Sequence, residues 1–216
     1  MKKFKYNSIF FSLILLTACS GADDQSEQIE GDLQTVVNEG LDKLEEEKPD
    51  WQYVQDGDKY EIEIPSRMEF MERLHPEAVI KYAEVRKDTD RVYENYIMIL
   101  PETHEEIASY ELGFEFTTQS YHQHHLKSMG SDMVEYTILT PESKVEDING
   151  LEGVISEMQG TLVLKDSNLV DIYYMMGVIQ GEKAFYQVLS WTVADQQGLY
   201  KRDMERMIRS FREIKQ

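Results

Sequence analysis

The run LVDIYYMMGVI, residues 169–179, carries apolar side chains on both of the faces that a β-strand presents. A strand of this kind is typical of the centre of a sheet that is covered on each side. A KDSN turn at 165–168 precedes the run, and a QGEK turn at 180–183 leads from it into an apolar run at 184–193. Since short turns join neighbouring antiparallel strands, the sequence predicts a largely antiparallel sheet around this segment.

Further strands are predicted before this segment. The strict alternation in YEIEIP, residues 60–65, indicates a strand with one buried face. The turn DGD at 56–58 precedes it and predicts a hairpin with a strand around Trp51 and Tyr53. The other predicted strands cover residues 78–85, 93–100, 133–139 and 154–164, the last of them after a turn at Asn149-Gly150.

Helices are predicted to cover this sheet. From Glu102 onward, Ile107, Tyr110 and Phe114 share one side of a helix, and the pattern continues or restarts toward Lys127. A C-terminal helix is predicted with Asp195 as its N-cap. Its apolar stripe consists of Leu199, Met204, Met207, Ile208 and Phe211. Helices interspersed among strands with short turns predict an α+β domain, a largely antiparallel β-sheet covered by helices.

The C-terminal stretch IYYMMGVIQGEKAFYQVLSWTVADQQGLYKRDMERMIRSF resembles the corresponding part of PsbP-like domains. The upstream segments YEIEIP, AVIKYAEV and YIMIL fit the same order of strands, so the resemblance covers residues 51–211. It implies an α/β/α sandwich around an antiparallel sheet. It also implies a noncatalytic accessory or binding role, because the characterised relatives mostly assist larger complexes. The family has no active site that could be carried over to residues of this chain.

The N-terminus has the features of a bacterial lipoprotein leader. A segment with three lysines precedes an apolar run at 9–16, which is far shorter than the ~20 residues of a membrane-spanning helix. The sequence LTAC at 16–19 then resembles a lipobox, in which the cysteine thiolate accepts a diacylglycerol. We therefore expect a signal peptide at 1–18 and lipid attachment, palmitate included, at Cys19. An ordinary secreted protein with a chance cysteine at its cleavage site is the alternative.

Three segments are predicted after the leader. Residues 19–31 are polar and indicate a flexible tether, residues 32–48 an amphipathic helix, and residues 49–216 the PsbP-like domain. The helix stripe packs on its own domain or forms a coiled-coil contact with another chain. Serine at position 20 is typical of outer-membrane lipoproteins. The predicted location is therefore the cell envelope, at the outer membrane on its periplasmic or surface side.

Composition narrows the range of partners. The formal net charge of −19 makes nucleic acid an unfavourable partner, because phosphates are repelled by an acidic surface. The chain has one cysteine, so it forms no internal disulfide and no cysteine metal site. Its stability must therefore come from its core.

Residues 121–125, YHQHH, are the one cluster that suggests a metal site. The positions of His122, His124 and His125 do not match the His-x-x-x-His spacing of a helical zinc site, and the cluster contains no carboxylate. We interpret it as a polar, solvated helix end and leave open whether it binds a metal. No catalytic motif and no cofactor site is identified.

Tyrosine and methionine are abundant between residues 133 and 191. This segment, which includes Tyr173, Tyr174, Met175 and Met176, is predicted to form core, with a groove for an apolar ligand or a partner peptide as the alternative. The predicted function is a noncatalytic, membrane-anchored binding or assembly module with a protein partner. The alternative is an envelope carrier of small apolar ligands, or an enzyme with an unrecognised pocket. A module needs an exposed apolar patch, and a carrier needs a concave site with converging polar groups.

Overall fold

The structure is a computed structural model that describes residues 50–86, 92–109, 116–140, 144–164 and 167–214. The predicted signal peptide, tether and amphipathic helix lie outside the described residues, as do Cys19, Tyr110 and Phe114.

Eleven strands and three helices make up the described part of the chain. The strands are β1 Trp51–Asp56, β2 Tyr60–Pro65, β3 Met68–Phe70, β4 Ile80–Arg86, β5 Val92–Thr103, β6 Glu135–Ile138, β7 Val145–Ile148, β8 Leu151–Val163, β9 Leu169–Gln180, β10 Ala184–Val193 and β11 Arg212–Glu213. The helices are α1 His104–Ala108, α2 Thr118–Ser131 and α3 Gln197–Arg209, the last of them preceded by a 3₁₀ turn at Ala194–Gln196.

Eight strands form one antiparallel sheet in the order β3-β4-β5-β10-β9-β8-β6, and β7 continues the β6 edge by pairing with β8. The apolar strand β9 lies between β8 and β10, which confirms its predicted interior position. Asn149 and Gly150 both have positive φ, of 53° and 87°, and they form the two-residue turn that joins β7 to β8. The predicted turn is therefore confirmed, with the backbone geometry that favours asparagine and glycine.

One face of this sheet is covered by α3 and by a smaller antiparallel sheet with the order β1-β2-β11. Tyr173 and Met175 of β9 pack in this core with Met207 and Ile208 of α3. At Gly177 of β9 the helix comes so close that an added Cβ would lie 2.5 Å from Ile208 Cγ2. The glycine thus permits the close packing of α3 on the sheet.

The opposite face of the sheet is covered by α2. Leu126 of this helix packs in a second core with Tyr174 and Met176, the other face of β9. Tyr96 and Trp191 stack within this core with ring centroids 4.9 Å apart. The predicted fold, an antiparallel sheet covered by helices on both faces, is therefore confirmed, with the small sheet as an addition to one outer layer.

Two helix starts differ from the prediction. Strand β5 continues to Thr103, which caps α1 by accepting from Glu106 N, so the first helix begins after Glu102. Asp195 is not the N-cap of α3: it lies within the 3₁₀ turn, and Gln196 is at the cap position without a side-chain hydrogen bond. The 3₁₀ turn lets β10 pass directly into the helix, so no side-chain cap marks the start.

Candidate binding surfaces

The histidine cluster lies on α2, beside the C-terminal end of β5 and the N-terminal end of β10. The helix begins with a reciprocal cap in which Thr117 and Ser120 bond to each other's backbone N–H. Tyr121 donates a short hydrogen bond to Glu102, and Gln187 Nε2 donates to the Tyr121 oxygen at 3.0 Å. His125 Nε2 lies 4.0 Å from a Glu102 oxygen. The cluster is therefore a largely buried set of polar groups between helix and sheet.

His122 is fully buried, and neither imidazole nitrogen has a hydrogen-bond partner within the described chain. Burial lowers its pKa to about 4. Burial also lowers the pKa of His125 to about 3, helped by the positive fields of His124 and His122. The interpretation of YHQHH as a solvated helix end is therefore wrong, because α2 turns this part of the motif toward the sheet.

The structure brings no metal-ligand set together within the ranges it describes: no group of three or more His, Cys, Asp or Glu side chains there is placed to hold an ion. His124 is half-buried, beside His125 at a ring separation of 5.4 Å. The predicted core residues Tyr173, Tyr174, Met175 and Met176 are all buried. Their prediction as core is confirmed.

A group of exposed apolar side chains lies along the β6 edge of the large sheet. The side chains of Tyr136 and Ile138 lie on the face of the sheet that α2 covers only in part. Val134, directly before β6, is 62% exposed. Leu139 and Val145 continue the exposed group toward β7. We call these five residues the β6 edge.

The backbone of β6 adds unpaired polar groups to this surface. Strand β6 is the last in the sheet order, so one of its two sides has no neighbouring strand in the described structure. Leu139 N donates to Glu157 O, which places the ladder bonds of Leu139 inward. In an antiparallel ladder the preceding residue, Ile138, then directs its backbone N–H and C=O groups outward. An exposed apolar edge of this kind is a template for another strand.

The outward face of α3 forms a second surface. Leu199, Arg202, Arg206 and Arg209 share this face at helical spacing. The three arginines line a shallow groove of about 430 Å³ together with Glu205 and Ser210. Leu199 is 67% exposed, so its predicted place in the buried stripe is wrong. The other four stripe residues are buried, as predicted.

Sequence reasoning missed a buried polar cluster at the start of α3. The β4–β5 register shifts after Glu84, and this bulge leaves Glu94 as an extra residue beside Asn95. Tyr200 donates to Glu94 at 2.7 Å, and Gln196 donates to it at 3.3 Å. These bonds hold the beginning of α3 on the sheet. In the sequence Glu94 is an ordinary polar position of a strand, so no local signal identifies it.

No helix within the described ranges has both the length and the apolar content that crossing a bilayer requires. No protein-family model matches the sequence. No curated protein matches it either.

Solved structures do match the fold. CyanoP, the cyanobacterial PsbP of Synechocystis sp. PCC 6803, has a TM-score of 0.51 at 13% identity, over 78% of this chain and 95% of CyanoP. The Ran-binding protein Mog1p of Saccharomyces cerevisiae has a TM-score of 0.53 at 8% identity, over 77% of this chain and 97% of Mog1p. LpqN, involved in cell envelope biogenesis of Mycobacterium tuberculosis, has a TM-score of 0.48 at 10% identity, over 81% and 96% of the two chains. The described part of this chain therefore has the PsbP-like fold found in CyanoP and Mog1p.

Proposed function

We propose that this protein is a lipid-anchored, noncatalytic binding module of the bacterial cell envelope that recognises a protein partner at the β6 edge. The observation that carries the proposal is the row of exposed apolar side chains next to outward-facing backbone groups on an end strand. Apolar side chains supply binding energy, and the free backbone groups supply direction for an added strand. Mog1p, which has the same fold, is a Ran-binding protein, so the fold is compatible with protein recognition.

The polar groups favour a module over a carrier or an enzyme. The histidines that suggested chemistry face the sheet, and His122 has no exposed surface. The polar groups around Glu94 are likewise buried, with Glu94 6% exposed and bonded to Tyr200. Neither cluster presents converging polar atoms to solvent, which a substrate would need.

The anchor is proposed from the sequence. Residues 1–18 are the signal peptide, Cys19 carries the lipid, residues 19–31 are the tether, residues 32–48 the helix, and residues 49–216 the domain. Two or more acyl chains give stable membrane attachment, since each buried CH₂ contributes roughly 0.8 kcal/mol. The acidic tether and domain stay in the aqueous phase of the envelope.

Replacing the anchor residue tests the proposed attachment. We expect Cys19→Ser to abolish incorporation of radioactive palmitate and to move the protein from the membrane fraction to the soluble fraction. Ser20→Ala, one residue away, is the matched control and should leave both unchanged, because it removes no thiol. A Cys19→Ser protein that still incorporates label would show that the lipobox interpretation is wrong.

A second experiment tests the β6 edge. A photo-crosslinking amino acid at Ile138 should give a discrete adduct in intact envelopes, identified by mass spectrometry, and Val134→Asp should reduce its yield at least ~10-fold. The control position is Phe70, which is 55% exposed on β3 at the opposite end of the same sheet. Equal adducts at both positions, or an adduct insensitive to Val134→Asp, would contradict a specific partner at this edge. An adduct with the mass of two copies of this chain would show that the β6 edge mediates self-association, and the proposal of a different protein partner would be wrong.

A further inference from the structure

The outward face of α3 carries features that the fold does not need. We define the arginine face as Leu199, Arg202, Arg206 and Arg209 of α3 together with Trp51 of β1. The guanidinium of Arg206 lies over the Trp51 ring at 3.9 Å. A large exposed apolar side chain beside three exposed arginines is unusual on a chain with a net charge of −19.

The charges on this face are only partly matched. Arg206 forms two hydrogen bonds with Glu63, at 2.9 and 3.0 Å, and Arg209 pairs with Glu205 and Glu146, each at 2.8 Å. Arg202 has no ion pair or hydrogen bond with any residue that the structure describes. One cation and one leucine on this face are therefore left for another group to cover.

The described part of the chain begins beside this same face. Trp51 begins β1, and only Pro49 and Asp50 separate it from the predicted helix at 32–48. A chain spans at most about 3.5 Å per residue, so Glu47 lies within about 14 Å of Trp51. A connection this short corresponds to an effective concentration on the order of millimolar or more.

The segment 32–48 also has the matching chemistry. It contains six acidic and two basic side chains, a formal charge of −4. Its apolar stripe consists of Leu33, Val36, Val37, Gly40, Leu41 and Leu44. On a helix Asp32 and Glu45 flank that stripe on its two sides.

We propose that residues 32–48 dock as an amphipathic helix on the arginine face of their own chain. The apolar stripe covers Leu199, the Trp51 ring and the aliphatic stems of the arginines, and a glutamate of the segment pairs with Arg202. The docking gives the segment a fixed place on the domain. It also leaves residues 19–31 as the tether between the membrane, where Cys19 is anchored, and the docked helix.

Hydrogen exchange of the chain from Ser20 to Gln216 tests this proposal. An isolated 17-residue helix is marginal in water, so an undocked segment should exchange at nearly the random-coil rate. We expect amides 36–47 to exchange at least ~10-fold more slowly than that rate. The double variant Leu199→Asp, Arg202→Glu should return them to the random-coil rate, because it removes the apolar contact and reverses the unpaired charge.

The matched control is Leu169→Asp, Lys183→Glu, which introduces the same acid for leucine and the same charge reversal at exposed positions away from α3. This variant should leave the slow exchange intact. Fast exchange in the wild type, or slow exchange that survives the arginine-face variant, would overturn the proposal. Slow exchange that disappears on dilution would assign the segment to a second copy and overturn it as well. Fast exchange together with Arg202-dependent binding of phosphatidylglycerol vesicles would assign the face to lipid instead.

Discussion

Phe211→Ala is expected to lower the free energy of unfolding by about 3–5 kcal/mol. Phe211 follows α3 directly and is fully buried. Its ring packs against Tyr186 at a centroid distance of 4.8 Å and against Tyr60 at 5.5 Å. It thereby joins the large sheet, the small sheet and the end of α3, and alanine would leave a cavity at this junction. Against a typical total of about 5–15 kcal/mol, this loss would unfold a large fraction of the protein on modest heating.

Urea melts of the chain from Ser20 to Gln216 measure this change. Glu205→Ala is the control on the same helix: its carboxylate makes an exposed i, i+4 pair with Arg209 at 2.8 Å, so its removal should cost only about 0.5 kcal/mol. Equal urea midpoints for Phe211→Ala and wild type would show that this residue does not close the core. The chain has one cysteine, so no internal disulfide would mask the effect.

Periodicity predicted the architecture well because both faces of the sheet are buried. The alternation in β2 predicts one buried face, and the apolar run of β9 predicts two. In the structure each of these faces packs in a core. The turn at Asn149-Gly150 was predictable because both positions need positive φ. Strand β6 was harder: only 135–138 of the predicted 133–139 are strand, since the side chains of this edge strand are exposed and their pattern is weak.

The site residues were predicted less well, because their burial depends on contacts that are distant in sequence. His122 looks like one of three similar histidines, and only the packing of α2 on β8 and β9 separates its environment from that of His124. Leu199 was assigned to the apolar stripe of α3, yet at about 100° per residue it lies roughly 140° from Met204 and falls on the outward face. For α3 the buried face was therefore predicted correctly and only Leu199 was misassigned, whereas for α2 the buried face was missed because polar side chains give no apolar stripe.

Acidification is expected to destabilise the protein through His122 and His125. The folded pKa values, about 4 for His122 and about 3 for His125, lie below the ordinary value of 6.5. Protons therefore bind preferentially to the unfolded chain as the pH falls below 6.5. The stabilisation from the neutral imidazoles is complete above pH 6.5 and is lost as the pH falls toward 4 for His122 and toward 3 for His125. The shift of His122 alone corresponds to about 3 kcal/mol.

His122→Leu isolates this contribution. At pH 7 the variant should be as stable as the wild type or more stable, because leucine of similar volume replaces two buried nitrogens that make no hydrogen bond in the described structure. Between pH 6.5 and 4 it should lose about 3 kcal/mol less than the wild type in urea melts. His124→Gln, which removes the half-buried neighbour on the same helix, should retain most of the wild-type pH dependence. Parallel pH profiles for His122→Leu and wild type would show that His122 is not the group whose protonation opposes folding.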